Sequence, residues 1–182
     1  MSLTKEIQQT ICKAEIKKGN HVAENISFFF VRELDVCAVS TSGYVSEFEV
    51  KISRADFKAD CKKVAKFEMY ANAESGYPYA GKRIPNYFTY VCTSGIITEN
   101  DLQPYMGLIY FQDGLLITIR KPKLIHRHKH DSLKLLKKMF TVLGWLHYFG
   151  AQRLTLLNRE AKGNPELENA FLNQVKHIHN ER

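Results

Sequence analysis

Two hydrophobic periods alternate along the chain and mark out its elements. From Thr4 to Lys17, behind a Thr4 N-cap, Ile7, Ile11 and Ala14 recur at helical spacing until Gly19-Asn20, which predicts a packing helix. Short apolar runs follow at Ile26 to Val31, Leu34 to Val39 and, after a Ser40 to Gly43 turn, Tyr44 to Ile52, predicting consecutive strands. Ser53 caps a second helix, in which Phe57, Cys61, Val64 and Ala65 recur at helical spacing and Lys58, Lys62 and Lys66 form a stripe at i, i+4 and i+8. That stripe reads as a solvated face or as a phosphate track. Tyr70 to Pro85 has no period and predicts a loop or insertion. Strand patterns return at Tyr87 to Cys92, Gly107 to Phe111 and Leu115 to Arg120, the last two joined by the hairpin signal Gln112-Asp113-Gly114. A long apolar helix, roughly Ser132 to Phe149 with Trp145 and Tyr148 in its core face, and an amphipathic helix from Glu166 to His179 follow.

This order of elements predicts an α/β fold, a sheet covered by helices. A length of 182 residues suits one domain, with a core over about 1–125 and a helical C-terminal extension over about 131–182. No apolar run approaches the roughly 18 residues of a membrane helix, and Met1 to Glu6 lacks a signal-peptide profile, so the expectation is a soluble, cytoplasmic protein with no membrane partner. Cys12, Cys37, Cys61 and Cys92 are far apart with no CxxC, and are expected to be reduced, mostly buried thiols.

Charge changes the picture more than composition does. Lys and Arg number 26 against 19 Asp and Glu, and the excess gathers at Arg120, Lys121, Lys123, Arg127, Lys129, Lys134, Lys137 and Lys138 with Asp131 alone opposing it. Such a run suits a polyanion, nucleic acid being the commonest, or else a solubilising surface. His126, His128 and His130 inside it read as part of a basic connector rather than as metal ligands.

The candidate chemistry lies in Ser46 to Ile52. On a strand, Glu47, Glu49 and Lys51 share one face and Phe48, Val50 and Ile52 the other. Ionisable groups in a row are costly on a covered face, so that face is either open to water or a site. A turn at Thr41 to Gly43 sets Asp35 opposite Glu49 and Glu33 opposite Lys51. Two converging carboxylates call for a cation, and a hard ion such as Mg²⁺ (or Mn²⁺) fits. With Lys51 beside them the set suits phosphodiester hydrolysis. An exposed edge strand with paired charges is the alternative reading.

Leu34-Asp35 and, 14 residues on, Glu49-Val50-Lys51 resemble the D…(D/E)xK signature of the PD-(D/E)xK restriction-endonuclease-like superfamily, with Leu34 in place of the motif's Pro. The run from Glu47 to Asp60 resembles the EIKxSRxDFxxD run of MmcB-like DNA-repair proteins and related phage and bacterial proteins. The likeness continues through Pro85 to Tyr90 and Tyr105 to Tyr110, and spans about residues 22–124. It implies a restriction-endonuclease-like central mixed sheet flanked by helices, a metal-dependent DNA endonuclease or repair nuclease, Asp35, Glu49 and Lys51 as catalytic residues, and Asp35, Glu49 and Val50 in the metal site. An upstream acid completes that site in many members, Glu24 being the better-placed match and Glu33 its rival. Arg54, Lys58, Lys62, Arg120, Lys121, Lys123, Arg127 and Lys129 are the candidate nucleic-acid contacts, Arg54 equally a partner for Asp56 or a neighbouring acid. DNA is the expected partner, with RNA or branched DNA open, a non-catalytic nucleic-acid-binding module the alternative function, and a homodimer plausible because cutting both strands usually takes two sites.

Overall fold

The computed structural model describes residues 2–26, 33–76, 84–131, 133–135 and 137. The first helix, α1, spans Leu3–Lys17, and its cap is Ser2 rather than Thr4: the Ser2 hydroxyl accepts from the Lys5 amide at 3.3 Å, placing the cap two residues earlier. Strand β1 is His21–Ile26, so it begins ahead of the expected apolar run, whose residues 27–32 lie outside the described residues. It carries His21, Glu24 and Asn25, polar positions that obscured the strand. Strands β2 (Leu34–Val39) and β3 (Val45–Lys51) fall where the apolar runs place them. Between them Gly43 takes φ +85, and a Cβ there would meet the His130 carbonyl at 2.7 Å, so only glycine fits this turn.

Helix α2 (Arg54–Cys61) starts at its expected cap, with the Asp56 amide 3.1 Å from the Ser53 hydroxyl. It stops at Lys62, and α3 (Val64–Glu74) resumes at a new phase. This corrects the single-helix reading and also the loop from Tyr70, whose first residues are helical; residues 77–83 lie outside the described residues. Strands β4 (Tyr87–Cys92), β5 (Gly107–Gln112) and β6 (Leu115–Arg120) complete the sheet. Asp113 at φ 52 and Gly114 at φ 77 form the tight β5–β6 turn that the Asp-Gly pair signalled.

The six strands lie in the order β1-β2-β3-β4-β5-β6, antiparallel at both ends and parallel across β3, β4 and β5: a mixed sheet. One face packs Ile7 and Ile11 of α1 on Val36, Phe48, Val50, Val91 and Phe111. The other packs Phe57, Tyr70 and Ala73 of α2 and α3 on Phe88, Tyr90, Cys92 and Leu108. The chain divides into two compact units, Met1–Leu136 and Lys137–Arg182. The expected C-terminal helices, with Trp145 and Tyr148, lie almost wholly outside the described residues. Among the described residues no helix is long and apolar enough to cross a membrane.

Residues 121–130 have no regular structure, yet they are fastened across the starting ends of the parallel strands. Lys123 N–H bonds the Tyr105 carbonyl (3.0 Å), Ile125 N–H the Asn86 carbonyl (2.9 Å) and His130 N–H the Gly43 carbonyl (2.9 Å). Fully buried Asn86 is the hub: its side chain accepts from Val45 N–H (2.8 Å) and donates to the carbonyls of His126 (3.0 Å) and His128 (2.8 Å). Replacing Asn86 with Ala strands buried groups that cost about 1–3 kcal/mol each. Asn86→Ala is therefore expected to lower unfolding stability by about 3 kcal/mol, read from the urea midpoint at unchanged slope.

Candidate functional site

Strand alternation delivers Glu47, Glu49 and Lys51 to the face covered by α2 and α3, and all three are buried. The β2–β3 register, with Val36 facing Phe48 and Cys37 facing Glu47, brings Asp35 beside Glu49, as the turn implied. An Asp35 carboxylate oxygen accepts the Val50 amide at 2.8 Å. Phe48 and Val50 point to the α1 side, whereas Ile52 lies past the strand end and is half exposed.

The buried charges are held together by two ammonium groups. Lys51 Nζ lies 2.8 Å from Glu49 Oε1, 3.7 Å from Asp56 and 3.9 Å from Asp60. Lys66 Nζ, from the first turn of α3, lies 3.2 Å from Glu49 Oε2, 3.0 Å from Asp60 Oδ2 and 3.7 Å from Glu47 Oε1. Its ammonium also sits 4.8 Å from the Phe88 ring centre. Tyr90 donates to Asp60 at 2.7 Å, Tyr70 donates to Glu47, and Lys63 reaches the second Asp60 oxygen at 2.8 Å.

The protonation equilibria follow from this packing. Burial pushes the Asp35 carboxyl up, and the neighbouring Glu49 charge pushes it further, outweighing the Val50 amide. Burial works against the Glu49 charge too, but Lys66 and Lys51 outweigh it and hold its pKa below the ordinary value. The same contest at Asp60 is won by Lys66, Lys63 and Tyr90, leaving that carboxyl far below the usual range. Burial disfavours the Lys51 ammonium, yet Glu49, Asp60 and Asp56 raise its pKa on balance, so it is a firmly charged group.

Several sequence-assigned residues lie elsewhere. Glu24 faces Val36 on the α1 side, ion-paired with Lys5 and accepting from Cys12 Sγ at 3.4 Å, so the sheet separates it from Asp35 and it cannot complete their site. Glu33 is exposed ahead of β2 and is not among the partners of Lys51. Arg54 pairs with Asp101 (2.5 and 2.6 Å), not with Asp56, and also bonds the Ile96 carbonyl. Arg120 donates to the carbonyls of Glu99 and Gln103 and so braces a loop. Lys58, Lys62, Lys121, Lys123, Arg127 and Lys129 are exposed. The stripe drawn through Lys58, Lys62 and Lys66 does not exist, because the break at Lys62-Lys63 turns Lys66 inward. Cys61 is exposed and Cys12 half-buried, against the expected burial of most cysteines, and all four are free.

No family model matches the chain. No curated protein matches it either. A solved structure of a protein of unknown function from Silicibacter pomeroyi is similar in fold, with a TM-score of 0.56 at 18% identity over 91% of this chain and 94% of that one. That likeness concerns the fold alone.

The divalent cation that the sequence resemblance implies can be weighed by donor chemistry. Among the described residues no three His, Cys, Asp or Glu converge as metal ligands, and the three histidines instead serve the strap: His126 Nε2 and His130 Nε2 meet the Ile84 carbonyl at 3.1 and 3.2 Å. A hard ion of the Mg²⁺ type, however, needs only one or two carboxylates with water. Asp35 and Glu49 are such a pair: burial first, and the Glu49 charge second, raise the Asp35 pKa, and a bound cation would favour the charged carboxylate against both. The residues fit that group.

Lys66 decides the integrity of the cluster. Lys66→Met leaves buried carboxylates short of a cation and is expected to cost about 3–5 kcal/mol, whereas Lys58→Ala and Lys62→Ala leave the urea midpoint unchanged. Because Glu49 and Asp60 have depressed pKa values, their contribution is full above the unfolded carboxylate range near pH ~4 and drains away as pH falls below it. The acid limb of a stability–pH profile is thus expected to flatten in Lys66→Met.

Proposed function

We propose that the Asp35, Glu49 and Lys51 face hydrolyses phosphodiester bonds of DNA with a divalent metal, as the resemblance to PD-(D/E)xK nucleases implies. The observation that carries this reading is that the β2–β3 register, continued one residue past Val36–Phe48, sets half-buried Asp35 beside buried Glu49, with Asp35 bonded to the Val50 amide and Lys51 2.8 Å from Glu49. Asp35 and Glu49 would hold the metal, which when bound supplies charge neutralisation at the phosphate and an acidified water. The Val50 amide fixes the Asp35 carboxylate toward Glu49. Lys51, charged throughout the neutral range because its pKa is raised, is suited to stabilising the negative charge that develops on the phosphate rather than to taking a proton. Asp56 and Asp60 keep its ammonium near Glu49.

The exposed Lys121, Lys123, Arg127 and Lys129 lie on the strap at the starting ends of the strands. Val45, which marks that end, and Lys51 are about 20 Å apart at ~3.3 Å per residue. Only a polymer reaches both, which favours a nucleic-acid chain over a mononucleotide as substrate. One observation favours the non-catalytic alternative: both oxygens of Glu49 are engaged by lysines, as a purely structural ion network would have them.

A panel of labelled duplex, single-stranded and branched DNA and of RNA, with Mg²⁺, Mn²⁺ or EDTA, separates the two. Cleavage is expected to need metal and to fall at least about a hundredfold in Lys51→Ala, with circular dichroism showing that variant folded. Binding without cutting, equal in both proteins and indifferent to EDTA, assigns the function to recognition.

A further inference from the structure

Between α2, α3 and the segment ahead of β5 lies a cavity of about 460 Å³ that the phosphodiester chemistry does not use. Its size is in the range of small-molecule sites. Phe57, Phe67, Tyr105 and Met106 give it an aromatic and thioether lining, and Glu68 and Glu74 reach it from α3. Asp101 also lines it, but Arg54 neutralises that carboxylate. Glu68 and Glu74 are exposed, and among the described residues neither forms an ion pair. Among the described residues no Lys, Arg or His lines the cavity; Arg54 sits 5.2 Å from the Phe57 ring centre, paired with Asp101, and Lys66 sits 5.7 Å from that of Phe67, its ammonium bonded to Asp60 in the buried cluster. In a chain with net charge +7 this is a local negative basin with aromatic walls.

We propose that this cavity is a binding site for a small organic cation with a planar apolar body. Aromatic faces attract a cation through their quadrupoles, and the two carboxylates set the sign of charge accepted at the rim. The base of a nucleotide would match the flat walls equally well, but a nucleotide also carries a phosphate that Glu68 and Glu74 repel. The site stands on its own observations and holds whether or not the chain cuts DNA.

Calorimetric titration of the full chain with tryptamine, an ammonium at neutral pH, beside tryptophol, its neutral hydroxyl analogue, tests this. The expected result is at least tenfold tighter binding of tryptamine, a preference that fades with added salt and disappears in the Glu68→Gln/Glu74→Gln variant, while Phe67→Ala weakens both ligands. Both glutamates are exposed, so the double variant folds irrespective of what Phe67→Ala does. Equal binding of the two probes, no binding of either at millimolar concentration, or preferential binding of adenosine monophosphate would each overturn the proposal.

Discussion

Everything on the helical face of the sheet depends on two ammonium groups. Lys51 and Lys66 enter the same buried space from a strand and a helix and between them contact Glu47, Glu49, Asp56 and Asp60. Carboxylates gathered at that density repel one another, and the low dielectric that magnifies the repulsion also magnifies the attraction to lysine. The cluster thereby ties α2 and α3 to β3 by charge, beside the apolar contacts of Phe57 and Tyr70 with the sheet. Asp35 lies at its edge, facing Glu49 without a lysine partner of its own among the described residues, and there the network carries negative charge in excess.

The two ends of the parallel strands do different jobs. The starting ends are closed by the strap over residues 121–130, pinned through Asn86 and Gly43, whose backbone conformation and contact with His130 admit no side chain. The opposite ends lead to Lys51, Ser53 and the start of α2, where open α/β sheets commonly present their chemistry. The basic side chains of the strap therefore lie at the Val45 end of β3, and Glu49 with its lysine partners lies toward the Lys51 end.

Much of this was legible in the residues. The apolar runs placed β2, β3, β4, β5 and β6; the Asp-Gly pair gave the last hairpin; and the short turn at Gly43 gave the register that brings Asp35 to Glu49, since the side-chain period of two leaves a single face for Glu47, Glu49 and Lys51. What escaped was set by tertiary structure. Glu24 was the better-placed match for the upstream acid that the family resemblance implies, yet strand phase puts it beside Val36 on the opposite face from Asp35. Lys66 matched a solvated stripe so long as one helix was assumed, and the break after Cys61 rotates it inward; the only sequence trace of that break is the weakly periodic Lys62-Lys63 step. Arg54 found Asp101 from a distant loop, a pairing no local pattern encodes.

The central claim is that Asp35 and Glu49 form a pair held short of a cation. Thermal unfolding of wild type and Asp35→Asn at neutral pH, each with EDTA or millimolar Mg²⁺, addresses it directly, because a ion that binds only the folded state raises the midpoint in proportion to its occupancy. The account predicts that Mg²⁺ raises the wild-type midpoint, and that Asp35→Asn, relieved of the repulsion, melts higher than wild type in EDTA and no longer responds to Mg²⁺. A wild-type midpoint indifferent to Mg²⁺, with Asp35→Asn no more stable than the parent, would contradict it.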